Sequence, residues 1–304
     1  MNSLHKLSIC IIGSNGFLSN AIAKYANNQG WALTIFGRNP NNEINTNTFI
    51  NIDLMHEDVD YNALMSSDVI IYAVGAGIQS NLEESKEQIY KLNTFVPTTI
   101  CNNLVNANYK GTFISFGSFF EIGESNKRNP FTEDEILCSA GTAPSDYIVS
   151  KRMMSRFVAS YRHNFKHWHF IIPTIYGEFE NPARLIPYTI KSLKNGKNPQ
   201  FTAGDQIRQY LYVDEVPEMI ESSILNNLSS GVYNLQGRET LSIKQLVSII
   251  YSYFGKDLPI ECFGSASRTD IHMKYLALNG EKLYKAIGFK AKTEIKNVIE
   301  KYNA

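Results

Sequence analysis

Leu7-Ser8-Ile9-Cys10-Ile11-Ile12, running directly into Gly13-Ser14-Asn15-Gly16-Phe17-Leu18-Ser19, is the stretch that decides the fold. Its first part is an apolar run of strand length, and the glycines that follow break it. An amphipathic pattern then continues to about residue 28, and a second apolar run covers 31–36. Strand, glycine turn, helix and strand make a βαβ unit with a parallel strand pair. Glycines in that turn let the backbone approach a pyrophosphate, which rests on the helix N-terminus. Gly13, Ser14, Asn15, Gly16, Phe17 and Leu18 are therefore expected to bind a dinucleotide. Ser19 takes the third small position, where close packing of helix on strand is less assured.

The end of the second strand selects the dinucleotide. An acid there would accept from the adenosine 2′-hydroxyl of NAD. The run here is Phe36-Gly37-Arg38-Asn39, with no acid. Arg38 is suited to pair with a 2′-phosphate, so NADP (as NADPH) is expected, with NAD as the alternative. Further strands follow at 49–54, where Asp53 and Leu54 would meet the adenine, and at 68–75, which ends in Ala73, Val74 and Gly75 beside the cofactor. Helical patterns cover 85–108 and 145–161, with strands at 112–116 and 169–172. This alternation predicts an α/β fold: a doubly wound parallel (Rossmann) sheet with a smaller α/β lobe.

Tyr147 and Lys151 stand four residues apart, with Ser118 upstream. On a helix, i and i+4 share a face, so phenol and ammonium point into one cleft. A phenol titrates near ~10, and a nearby cation favours its ionised form. With a serine hydroxyl holding the same oxygen, the set suits proton exchange with a sugar-like C–O group while a hydride moves.

The 304 residues carry 29 basic and 29 acidic side chains, for a formal net charge of zero. A nucleic-acid partner or an anionic membrane is not expected on bulk electrostatics. No apolar run is long enough to span a bilayer, and the N-terminus has no signal-peptide pattern, so a cytoplasmic location is expected. Cys10, Cys101, Cys138 and Cys262 are scattered without Cys-x-x-Cys spacing, and the histidines read as core or surface residues. No metal site is expected from these spacings.

The motifs in order are Gly13-x-x-Gly16, Asp53, Ala73-x-Gly75, Asn93, Ser118, Tyr147-x-x-x-Lys151, Pro173-Thr174-Ile175-Tyr176-Gly177 and the run from Arg208 to Val216. Together they make the chain resemble the extended short-chain dehydrogenase/reductase superfamily. Within it, the resemblance is to the NAD(P)-dependent sugar-nucleotide epimerase/dehydratase/reductase family, over nearly the whole length. The resemblance implies that Tyr147 exchanges the proton, that Lys151 holds the nicotinamide ribose, and that Ser118 bonds the reacting oxygen. It places Asn93, Pro173 and Thr174 with the cofactor. Arg208 and Arg268 would meet the substrate diphosphate, and Asn181 and Arg184 a loop near the substrate. It also implies a homodimer paired through a four-helix bundle of the helices at 85–108 and 145–161. The expected division is residues 1–174 plus 208–236 for the dinucleotide and 175–207 plus 237–304 for the nucleotide sugar.

Departures from the pattern bear on the reaction. Dehydratases of the family carry Asp-Glu directly after the active-site Ser or Thr, whereas Phe119 and Phe120 stand there. Neither can act as acid or base. The Cys/His pair of C3 or C5 inversion is missing as well. Hydride chemistry at C4 remains, with Phe119 and Phe120 as an apolar wall for a 6-deoxy methyl group. The expectation is a 4-ketoreductase acting on a nucleoside-diphosphate 4-keto-6-deoxyhexose for surface-polysaccharide (O-antigen) synthesis. A 4-epimerase is the alternative, and a non-catalytic redox sensor the third reading.

Overall fold

The computed structural model describes residues 6–78, 83–266 and 272–303. Strands β1 (Ser8–Ile12), β2 (Ala32–Gly37), β3 (Thr48–Asn51), β4 (Val69–Tyr72), β5 (Thr112–Ser118) and β6 (Lys166–Ile172) follow one another along the first half. Then come β7 (Thr174–Tyr176), β8 (Ile207–Tyr212), β9 (Gly231–Asn234), β10 (Glu239–Ser242) and β11 (Tyr275–Leu276). A seven-stranded sheet has the order β3-β2-β1-β4-β5-β6-β9. The pairs β2–β3, β1–β2, β1–β4 and β4–β5 run parallel. The order 3-2-1-4-5-6 is that of a doubly wound dinucleotide-binding sheet, as expected, with its reversal between β1 and β4.

Two compact units account for the chain. The first takes the described residues of Met1–Gly117, Ser145–Ile171 and Ser223–Tyr233; the second takes those of Ser118–Pro144, Ile172–Ser222 and Asn234–Ala304. In the first, Cys10, Ile12, Phe36, Ile70, Tyr72, Ile100 and Phe113 belong to one apolar core. Central strands buried on both faces read as continuous apolar runs, which is why 7–12 and 68–75 stood out in the sequence.

The second unit is built on a four-stranded sheet in which β8 is central, antiparallel to β10 and parallel to β7 and β11. Its core gathers Tyr176, Ile186, Ile190, Tyr210, Tyr212, Leu246 and Ile250. This corrects the expected division at two places. β8, expected to return to the large sheet, is the spine of the small one, and residues 118–144 also belong to the second unit. Residues 209–212 are buried on both faces, and such a run carries no mark of which sheet it joins. β9 does complete the large sheet.

Candidate functional site

The glycine turn after β1 behaves as its sequence requires. Gly13 has φ +114°, and a Cβ there would lie 3.0 Å from Val74 Cγ2 and 3.3 Å from the Ala73 carbonyl carbon. A side chain would be both strained and crowded. Gly13 N donates to Phe36 O at 2.8 Å, and Ala73 N to Ile12 O at 2.9 Å. The ends of β1, β2 and β4 are thereby knit together at the switch point. Gly16 starts the helix Phe17–Asn28, which has no side-chain cap and no acid in its first turn. An uncapped, acid-free helix start suits an anion. A Cβ on Gly37 would strike Ser14, 2.9 Å from its backbone nitrogen. Asn15 Nδ2 ties the turn to Asn39 O at 2.8 Å.

Arg38 follows this contact and is exposed. Asn51 Nδ2 donates to its carbonyl at 2.6 Å, fixing the backbone. Asp53 uses its carboxylate to accept from Met55 N at 2.9 Å, closing a turn that holds Leu54 buried. These residues fit a dinucleotide: the turn leads into an uncapped helix start, and Arg38 follows the end of β2.

Tyr147 and Lys151 lie on the helix Asp146–Ser160, and both are buried. Lys151 Nζ donates to Phe116 O at 2.9 Å and lies 5.9 Å from the centroid of the Tyr147 ring. Asp146 receives Tyr90 Oη at 3.0 Å and pairs with Lys86 at 3.6 Å, which anchors the helix start.

Asn93 occupies a π-helical turn, Lys91–Phe95, between the helices Lys86–Tyr90 and Val96–Asn106. Such turns concentrate at functional sites. Its Oδ1 accepts from Ala76 N at 2.9 Å, and its Nδ2 donates to Ala76 O at 2.8 Å and to Ser150 Oγ at 2.9 Å. Ser150 Oγ in turn donates to Tyr147 O at 2.8 Å. Both amide hydrogens are committed within the protein, which fits a structural role for Asn93. Asn93 locks the loop after β4 to the tyrosine helix. Sequence reasoning missed Ser150 and Thr94, whose Oγ1 donates to Ser150 O at 2.9 Å.

In the second unit, Ser118 caps a short turn, Phe119–Ile122. Its Oγ accepts from Phe120 N at 3.3 Å, and the Glu121 carboxylate accepts from Ser118 N at 2.7 Å. Glu121 was also missed, although Ser-x-x-Glu is a capping-box signal. Phe119 is 1% exposed, so it has no open face, and the expected apolar wall reduces to Phe120, whose ring it meets edge-on at 4.9 Å.

Pro173 is buried and Thr174 opens β7. Arg208 is buried, with Nη1 donating to Ile207 O at 2.9 Å and Met273 O at 2.8 Å, which fixes the plane of the guanidinium. Arg184 Nη1 pairs with Glu180 at 3.0 Å. Burial raises the Glu180 carboxyl above its ordinary value, and Arg184 opposes that rise. Asn181 Oδ1 accepts from Ala183 N at 2.8 Å. Arg268 lies outside the described residues.

On the two helices expected to form a bundle, Ile89 and Met154 turn inward, while Phe95, Val149 and Met153 are exposed. Among the described residues no helix is long and apolar enough to cross a membrane. The scattered cysteines and histidines give no metal pattern in sequence, yet the fold gathers Cys101, His163 and His167 in the first unit.

Seven curated relatives match the chain. It is 25% identical to dTDP-glucose 4,6-dehydratase 1 of Escherichia coli over 194 residues, covering 60% of this chain and 51% of that protein. It is 26% identical to CDP-abequose synthase of Salmonella muenchen over 166 residues, covering 53% and 52%. The chain thus spans about half the length of these two relatives. Among solved structures, a UDP-N-acetylglucosamine 4-epimerase from Methanobrevibacter ruminantium has the same fold, with TM-score 0.82 and 19% identity over 98% of each chain. The model of the NAD dependent epimerase/dehydratase family matches residues 9–235, three quarters of the sequence and all of the site described in the first unit. With the glycine turn, the switch point and the buried tyrosine–lysine pair in place, the chain belongs to the NAD dependent epimerase/dehydratase family.

Proposed function

We propose that the protein reduces the 4-keto group of a nucleoside-diphosphate 4-keto-6-deoxyhexose with NADPH. The observation that carries this is the buried Tyr147–Lys151 pair on one helix face, together with a sequence that has phenylalanine at positions 119 and 120. Bound NADPH supplies the hydride. Tyr147 gives its proton to the ketone oxygen as charge develops there. Lys151, held by the Phe116 carbonyl, places positive charge near the phenol and favours release of that proton. Ser118 accepts a backbone N–H with its oxygen, which leaves its O–H to donate toward the same ketone oxygen.

Elimination needs an acid and a base that Phe119 and Phe120 do not offer, and the neighbouring Glu121 is taken up by the Ser118 backbone. The names of the relatives support a nucleotide-sugar substrate. Arg208 and Arg184 are proposed to meet its diphosphate and sugar. Phe95, Val149 and Met153, the last two on one helix face, are proposed to pair in a homodimer.

A 4-epimerase would use the same three residues but keep its NAD bound. Arg38 favours the reductase, because NADPH is the exchangeable reducing pool. Arg38→Ala should weaken NADPH binding by about tenfold or more, the worth of a charged hydrogen bond, and NADH hardly at all. Fluorescence titration with both dinucleotides checks this. Equal weakening, or NAD that copurifies through gel filtration, would favour the epimerase.

A further inference from the structure

We propose that Cys101, His163 and His167 form a binding site for a thiophilic divalent cation, zinc first among them, within the first unit. Cys101 Sγ lies 3.9 Å from His167 Nδ1, and His163 Nε2 lies 3.0 Å from that same nitrogen. All three donor atoms lie within 4.8 Å of one another. Bond lengths of about 2.3 Å to sulfur and about 2.0–2.1 Å to nitrogen, at tetrahedral angles, place such donors about 3.6 and 3.3 Å apart. The 3.9 and 3.0 Å spacings lie within about 0.3 Å of these values, and the third donor pair lies within 4.8 Å.

The surroundings set the ring orientations. His167 and His169, two apart on β6, share a face, and both reach Ser115 Oγ on β5, at 2.9 and 2.7 Å. His169 Nε2 meets Ser155 Oγ at 2.8 Å. With the His167 Nε2–H donating to Ser115, the Nδ1 lone pair faces Cys101 and His163. This is the outer-shell arrangement that holds ligating imidazoles. Phe113 packs edge-on against His167 at 5.1 Å, and Phe165 stacks on His163 at 4.7 Å, so the donors sit in an apolar wall. His163 Nδ1 is a buried atom with no hydrogen-bond partner. Without an ion, His163 Nε2–H donates to His167 Nδ1 in an ordinary hydrogen bond; with an ion, each of these nitrogens offers its lone pair to the metal. One thiolate and two imidazoles select zinc-like ions over magnesium or calcium. His163 is only partly buried and gives the entry path. Binding would release the Cys101 thiol proton to solvent and tie the helix Val96–Asn106 to the start of β6.

The test uses the full chain carrying Cys138→Ser, which removes the exposed thiol, with Co²⁺ as the optical probe and Zn²⁺ as its competitor. The expected result is one equivalent of Co²⁺ giving a thiolate-to-cobalt charge-transfer band, abolished by Zn²⁺ and by Cys101→Ser. His163→Gln, at the exposed end, should weaken Co²⁺ binding at least tenfold without unfolding the chain, and Zn²⁺ should raise the melting temperature of the parent but not of His163→Gln. Absence of the charge-transfer band in the folded parent, or equal Co²⁺ affinity in His163→Gln, would overturn the site.

Discussion

Tyr147→Phe should lower kcat by about 10²- to 10⁴-fold, the usual worth of one positioned acid. Dinucleotide affinity should stay within about threefold, or ~0.6 kcal/mol. The substitution removes a single oxygen from a buried ring, so no cavity larger than that atom is left and the helix keeps its packing. Lys151 also keeps its bond to Phe116 O. Retained turnover in Tyr147→Phe would remove the proton donor from the scheme. A wild-type protein that binds dinucleotide but turns over no nucleotide sugar would instead favour the sensor reading.

Asn93→Ala should cost the first unit about 2–4 kcal/mol. The truncation leaves the N–H and C=O of Ala76 unpaired at a residue with no exposure, and each such group costs about 1–3 kcal/mol. Urea unfolding monitors the loss. Turnover should fall as well, because Ser150 loses its amide donor and the tyrosine helix its tie to the loop after β4. Asn93→Asp, which sets a second oxygen against the Ala76 carbonyl at a buried position, should recover none of the stability. If Asn93→Ala were as stable as the parent, the lock between loop and helix would be of no consequence.

The first βαβ unit was legible because strand, turn and helix are set by local chemistry: an apolar run, glycines where φ is positive, and an amphipathic helix. Gly13 is the example, since its conformation and its crowding by Val74 both exclude a side chain. The helix of Tyr147 and Lys151 was legible for the same reason. What sequence could not place were matters of long range. β8 is buried on both faces, so its residues fit either sheet. Asn93 was read as an asparagine in a helix lining the site, but its partners Ala76 and Ser150 lie 17 and 57 positions away. Cys101 and His167 are 66 positions apart, and no spacing rule connects a helix to a neighbouring strand. Phe119 looked like pocket lining because its position follows Ser118, yet the short turn after β5 sends one ring inward and leaves the other partly exposed.

The most direct measurement of the central claim is NADPH oxidation on adding nucleoside-diphosphate 4-keto-6-deoxyhexoses, followed by absorbance, with the sugar product identified by NMR. The proposed reaction consumes one NADPH for each ketone converted to a C4 hydroxyl, and it stops when NADPH is exhausted. Interconversion of C4-hydroxyl epimers with bound NAD and no net NADPH consumption would contradict it.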